Sequence, residues 1–405
     1  THLGWAAGSI LKEEGVSRVF IGKDTRISGY MFESALQAGF ISAGMDVTLL
    51  GPLPTPGVSY LANSNNQVGL VISASHNLFE DNGIKFFNKN GQKFSEELEK
   101  RIEVKLTEEM VPVDSINLGK ATRMSDAQER YIEFCKLPFT DLDLSDLNIL
   151  LDCANGATYS VAPKVFTELG ASIEAVAASP DGININQNCG STNPDFLKDQ
   201  MSKGNYDMGI AFDGDGDRIL IISSEGNILD GDDILFILSQ KLLPNSGVVG
   251  TLMTNKALEL HFQKNNIDFH RADVGDKYVL NELVNYEWLL GGEPSGHIIC
   301  LDSAPTGDAI IAALKFLDSI KEMGFSIENS LKDFKKFPQT LINLKVDSPN
   351  RIIMDDKFWE KVTEIETQLG DSGRVLIRPS GTEPLIRLMV ESKESSLSEL
   401  SLIHI

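Results

Sequence analysis

Short apolar runs rich in β-branched residues alternate along this chain with longer segments whose apolar positions recur every three or four residues. "VSRVFIG" (Val16–Gly22) has the first pattern and predicts a strand. "YMFESALQAGFISAG" (Tyr30–Gly44) has the second and predicts a helix, and "DVTLLG" returns to strand. The same order recurs at "LNILLDCANG", "TYSVAPKVFTELG" and "ASIEAVA", and again at "GVVGTLM", "NKALELHFQKN" and "IDFHRAD". Strands alternating with helical segments predict mixed α/β domains with partly parallel sheets. The three segments read as copies of one kind of unit, although identity between them is too low to define a repeat. The rest differs. "FPQTLINLKV", a helical "FWEKVTEIETQLG", "GRVLIRPSG" and "PLIRLMVES" predict a small α+β unit. Boundaries near 123, 225 and 336 divide the chain into 1–122, 123–224, 225–335 and 336–405, four domains around a central cleft. The closing "SLSELSLIHI" carries neither pattern.

Size and composition agree with that division. The chain has 405 residues, more than one core commonly organises. Apolar residues make up 42% and charged residues 23%, ordinary for a globular protein. No apolar run approaches the roughly eighteen residues a membrane helix needs. Cys135, Cys153, Cys189 and Cys300 lack metal-ligand spacing and are expected to be free thiols in a reducing cytoplasm. The net charge of −22 argues against nucleic acid or an anionic membrane as partner. A phosphorylated small molecule would be repelled as well, unless a local basic cluster or a divalent cation reverses the field.

Four loops carry candidate chemistry. "VISASHNLFEDNGIKFF" (Val71–Phe87) follows a predicted strand with Ser75, His76 and Asn77, then Lys85. Ligand sites of open α/β sheets lie beyond the carboxyl ends of strands, and a serine there can be a nucleophile or phosphate carrier. A capped polar turn is the plainer reading. "GIAFDGDGDRILII" (Gly209–Ile222) alternates Asp213, Asp215 and Asp217 with glycines between apolar runs. Three carboxylates this close repel unless a cation sits among them. Hard oxygen ligands in this number suit Mg²⁺. An EF-hand fails, because Arg218 falls where that loop needs Gly and Ser224 where it needs Glu.

"GGEPSGHI" (Gly291–Ile298) alternates Glu293, Ser295 and His297. On an extended backbone all three would face one way, a means of gripping a polyol. "RPSGTEPLIR" (Arg378–Arg387) places Ser380, Gly381 and Thr382 between two arginines, a phosphate cradle in composition though not a P-loop. "DVGDKYV", with Lys277, and "GKDTRISGY", with Arg26, are weaker signals, equally well explained by surface salt bridges.

Taken together, SASHN, DGDGDR, GEPSGH and RPSGTEPLIR resemble the α-D-phosphohexomutase superfamily, over about Gly4 to Val390. "LLDCANGA", "GTLMTN" and "VGDKYVL" are most similar to its bacterial members that act on glucosamine phosphate. The resemblance implies three related α/β domains, a small fourth domain with a mobile hinge, and a phosphoserine at Ser75 binding Mg²⁺ with Asp213, Asp215 and Asp217. It implies that Arg218 steadies that phosphate. Lys85 would transfer protons, and His297 would lie near the reacting hydroxyl. Glu293 and Ser295 would contact the sugar hydroxyls, and Lys277 and His297 would also bind the substrate. Arg378, Ser380, Gly381, Thr382 and Arg387 would hold the non-reacting phosphate.

The implied reaction interconverts glucosamine 6-phosphate and glucosamine 1-phosphate through the 1,6-bisphosphate, which also serves as primer. That activity would feed UDP-N-acetylglucosamine and cell-wall synthesis, in a cytoplasmic monomer or homodimer. Leu78 stands where most relatives have proline. A "GTDGIRG"-like segment bearing another arginine would be expected ahead of Thr1, and a closing helix in the last domain. The rival readings are a glucose- or mannose-phosphate mutase, a phosphatase with Asp213 as nucleophile and Asp215 as acid/base, and a noncatalytic sugar-phosphate binder.

Overall fold

The computed structural model describes residues 1–242, 246–346, 354–379 and 385–394. The described residues form four sheets. In the first, spatial order runs Ile84–Phe87, Val68–Ile72, Arg18–Lys23, Asp46–Pro52, Ala121–Arg123. All neighbours are parallel except the hairpin of Ile84–Phe87 with Val68–Ile72. The second sheet runs Ile228–Leu229, Ile219–Ser223, Met208–Phe212, Asn148–Asp152, Ser172–Val176. The third runs Asp268–Ala272, Gly247–Thr251, Leu290–Gly292, Ile298–Cys300.

A common plan underlies these three. A first strand is flanked by the second and third, both parallel to it, and a fourth returns antiparallel along the third. The interior strands Val68–Ile72, Met208–Phe212 and Gly247–Thr251 are buried at every position. That is why they read as unbroken apolar runs and not as alternations. The expected kinship of the three segments is therefore a kinship of topology.

The plan also positions chemistry. In each unit the loop joining the third strand to its antiparallel partner leaves the carboxyl end of a parallel strand. Those three loops are 73–83, 213–218 and 293–297, the ones that carry Ser75, the three aspartates, and Glu293 with His297. One apolar cluster, from Phe20 through Phe166 and Phe212 to Ile327, runs through all three units and holds the loops in a common frame.

The fourth sheet is antiparallel, in order Gln339–Lys345, Leu385–Ser392, Gly373–Pro379, with the helix Asp356–Leu369 packed on it. Arg374 docks it on the third unit. Its guanidinium donates to the Leu252 and Thr254 carbonyls at 2.9 and 2.7 Å and pairs with the buried Glu391 at 2.7 Å.

Candidate active site

Ser75 follows the strand Val68–Ile72 and has a left-handed backbone, φ +51°, uncommon for a residue with a Cβ. Its Oγ donates to Asp213 Oδ2 at 2.6 Å, and its N–H donates to Ser73 Oγ at 2.9 Å. Asp213, Asp215 and Asp217 are all buried, with ligand oxygens within 4.8 Å of one another. Gly216 takes φ +72° in this turn. Gly214 lies so close to the serine loop that a Cβ there would meet the Ser75 carbonyl oxygen at 2.7 Å.

The carboxylates have an ordered set of partners. Asp213 Oδ1 accepts the N–H groups of Asp217 and Arg218, both at 3.1 Å. Asp215 Oδ2 accepts from Thr55 Oγ1 at 2.5 Å and from Lys85 Nζ at 2.6 Å. Lys85 also reaches Asp217 Oδ2 at 3.3 Å. His297 places Nδ1 3.8 Å from Asp217 and Nε2 3.8 Å from Asp276, and Lys93 holds Asp276 at 2.5 Å. Arg218 stands 4.0 Å from Asp217.

Electrostatics divides the group. Burial, then the Asp217 and Asp215 charges, pushes the Asp213 carboxyl well above its ordinary range. Asp217 goes the other way: burial opposes its charge, but Lys85, His297 and Arg218 outweigh it. Burial also works against the Lys85 ammonium, and Asp215 and Asp217 overcome it, so Lys85 stays protonated. His297 is likewise raised despite burial, by Asp217, Asp276 and Glu293.

Among the described residues, Asp215 Oδ1 and Asp217 Oδ1 are buried without a hydrogen-bond partner. Orphaned buried carboxylate oxygens are costly. Two of them, converging beside Asp213, fit a small oxygen-seeking cation.

The structure thus brings Ser75, Lys85, Asp213, Asp215, Asp217, Arg218 and His297 together. The other expected residues fall as follows. Residues 293–297 form a tight turn, not an extended run, with Gly296 at φ +88° and the Glu293 N–H donating to the His297 carbonyl at 3.0 Å. Glu293 and His297 therefore sit buried at its two ends and Ser295 is exposed at its tip. Glu293 accepts the Gly275 N–H at 3.0 Å. Lys277 lies 3.8 and 3.6 Å from Glu96 and Glu99 of the first unit. Arg378 and Arg387 are direct cross-strand partners, and Ser380, Gly381 and Thr382 lie outside the described residues.

Sequence reasoning underrated Arg26 and passed over Asn186, Asp24 and Thr55. Arg26 is no surface ion pair. It is 1% exposed, pairs with Asp24 at 2.8 Å and donates to the carbonyls of Ser75, Asn77 and Leu78. The available signal for Asn186 was its place in the long, aperiodic polar stretch 177–193, since loops of that length in compact domains are usually functional.

Fold and sequence together define the class: the chain belongs to the phosphoglucomutase/phosphomannomutase family. Models of that family's α/β/α domains I, II and III match residues 1–111, 129–226 and 230–337, and its C-terminal domain matches 341–400. Among named relatives, the phosphoglucosamine mutase of Legionella pneumophila (strain Corby) is 49% identical over 401 residues, 98% of this chain and 88% of that protein. Among solved structures, a phosphoglucomutase/phosphomannomutase family protein from Burkholderia thailandensis superposes with a TM-score of 0.85 at 23% identity, covering 100% of this chain and 91% of that one. The N-acetylphosphoglucosamine mutase of Aspergillus fumigatus, solved with GlcNAc-6P and magnesium, gives 0.66 at 17% identity, covering 86% and 90%.

Proposed function

We propose that this protein interconverts glucosamine 6-phosphate and glucosamine 1-phosphate, with Ser75 as phosphoryl carrier and the 1,6-bisphosphate as intermediate and primer. The observation that carries the reading is the Ser75 hydroxyl, held on a left-handed backbone 2.6 Å from Asp213, beside two further carboxylates with orphaned oxygens. The 49% identity to a phosphoglucosamine mutase supports the sugar.

In each half-reaction one P–O bond breaks and one forms. The phosphoryl group leaves Ser75 Oγ for the sugar hydroxyl, whose proton goes to a side chain of the cleft, and Ser75 Oγ recovers a proton. We assign acceptance of the sugar proton to His297 and its return to Ser75 Oγ to Lys85, which is protonated in the resting site. The bisphosphate then turns over, and its other phosphate returns to Ser75. Asp213, Asp215, Asp217 and the Ser75 phosphate would hold Mg²⁺, which supplies charge neutralisation at the phosphoryl oxygens. Arg218 steadies the phosphoserine. Glu293 and Ser295 are assigned to the sugar hydroxyls and Lys277 to substrate binding.

Arg378 and Arg387, with Ser380, Gly381 and Thr382, are assigned to the resting phosphate. Two guanidinium groups directly opposite each other repel. Neither has a carboxylate partner among the described residues, which suits a cradle awaiting an anion.

Turnover is to be measured with Mg²⁺ on glucosamine, glucose and mannose 6-phosphates, with and without sugar bisphosphate. Bisphosphate-stimulated isomerisation led by glucosamine 6-phosphate is expected. Preference for glucose or mannose would overturn the sugar assignment. Release of inorganic phosphate without isomer would overturn the mutase reading and make Asp213 the nucleophile.

A further inference from the structure

Two side chains from different domains converge on the backbone of the Ser75 loop. Arg26, just past the strand Arg18–Lys23, donates from Nη2 to the carbonyl oxygens of Ser75 and Asn77 at 3.0 and 2.8 Å. Asn186, on the long loop of the second unit, donates from Nδ2 to the same two oxygens, each at 2.8 Å. Both side chains are buried. Asn186 Oδ1 has no hydrogen-bond partner among the described residues. The reversed amide would set that oxygen against two carbonyl oxygens, so the direction of donation is determined.

Asn186 is also wedged against the carboxylate loop. A Cβ at Gly214 would lie 2.6 Å from Asn186 Nδ2 and 2.7 Å from the Ser75 carbonyl oxygen. The second unit therefore supplies both the aspartates and one arm of the clamp on the serine. Ser75 holds a conformation, φ +51°, that persists only when its surroundings over-determine it.

We propose that Asn186 is a positioning residue: with Arg26 it clamps the Ser75 and Asn77 carbonyls and thereby holds Ser75 Oγ in register with the Asp213–Asp215–Asp217 group. The clamp grips backbone for a physical reason. A phosphoryl group brings about −1.5 to −2 charge to the side chain and then removes it. Bonds to the carbonyls can persist in both states of the side chain, whereas a partner bound to Oγ would have to let go in every cycle. The inference rests on the reading of Ser75 as phosphoryl carrier.

The test compares two fates of one phosphate. The full chain is charged with glucosamine 1,6-bisphosphate, and phosphate on Ser75 is verified by mass spectrometry. Transfer to glucosamine 6-phosphate is followed by rapid quench, and hydrolysis is followed without sugar. Transfer needs Oγ, phosphate and sugar hydroxyl aligned, and small misplacements cost about 100-fold; attack by water is far less exacting. In Asn186→Ala, transfer is expected to fall about 100-fold, with hydrolysis undiminished and KM little changed. A misfolded fraction would lower both rates together, and that result would overturn the proposal, as would unchanged transfer or a loss confined to KM.

If Asn186→Ala does not fold, Asn186→Ser, which keeps one donor, is read by the same ratio, with a smaller loss expected and an unchanged ratio overturning the proposal. Thr25→Val removes another bond between the same two units, Thr25 Oγ1 to the Asn155 carbonyl at 2.6 Å, without touching the clamp. Its ratio of transfer to hydrolysis is expected to match the parent's, and a shifted ratio would count against a specific role for Asn186. Should the parent protein never carry phosphate on Ser75, the carrier reading itself fails and the inference with it.

Discussion

Lys85 occupies the position of a countercharge, and its removal gives a prediction with a definite sign. Its ammonium lies 2.6 Å from Asp215 and 3.3 Å from Asp217, whose side chains are 0% and 8% exposed while its own is 21% exposed. Removing one partner of a buried pair costs about 3–5 kcal/mol, because a charge is left buried alone. The partial exposure of Lys85 puts Lys85→Met at the lower end, about 3 kcal/mol, or a factor of roughly 150 in an equilibrium constant.

That cost should appear when no divalent cation is present. With Mg²⁺ it should largely vanish, because a bound cation replaces the ammonium as countercharge. Binding should also tighten by at least about tenfold, since Lys85 no longer competes for Asp215 Oδ2. The assay is urea unfolding followed by tryptophan fluorescence, reading the first transition of this multidomain chain, in EDTA and in saturating Mg²⁺, with a Mg²⁺ titration alongside. Mutase turnover should fall roughly 10²–10⁴-fold through loss of the group to which we assign proton transfer. A variant as stable as its parent in EDTA, or one that binds Mg²⁺ more weakly, would refute the countercharge argument.

Two further outcomes follow from the same geometry. In Gly214→Ala the new methyl would meet Asn186 Nδ2, the Ser75 carbonyl oxygen and Ile185 Cδ1 at 2.6–2.8 Å. Overpacking of this kind costs about 1–3 kcal/mol, and kcat should drop with it, whereas normal kcat would mean that the two loops need not touch. Burial, then the Asp230 charge, pushes the Asp232 carboxyl up to about 8, against the Asn255 N–H and Lys336. A raised carboxyl contributes stability that is present below its unfolded value of about 4 and is lost as pH rises through about 8. Asp232→Asn should therefore lose less stability than the parent between pH 6 and 9 in chemical denaturation, and equal slopes would contradict the assignment.

Much of this molecule is legible residue by residue, for a local reason. "VSRVFIG", "QVGLVIS" and "FWEKVTEIETQLG" advertise their elements because burial imposes a period on the residues that undergo it. The strands Arg18–Lys23 and Val68–Ile72 and the helix Asp356–Leu369 follow. Ser75, Lys85, the three aspartates and His297 stand out for the complementary reason, being costly residues in places where a turn would not need them. Arg26 gave almost no signal. A buried arginine is identifiable only through what it binds, and the Ser75 and Asn77 carbonyls lie 49 and 51 positions along the chain. Asn186 acts over 111 positions, as one polar residue in a polar loop. Glu293, Ser295 and His297 would share a face only on an extended backbone, and Gly296 at φ +88° folds that backbone back; period two places side chains on one side only while the backbone stays extended.

The sequence by itself determined the α/β class, the succession of elements and the chemistry of each loop, because periodicity and residue type are properties of neighbours along the chain. Only the tertiary structure decided that the hairpin loops of three like units open into one place. That convergence depends on one apolar cluster that runs through three sheets, on glycines that let backbones approach, and on charges that meet across domains. Those are relations between distant residues, and no local pattern records them.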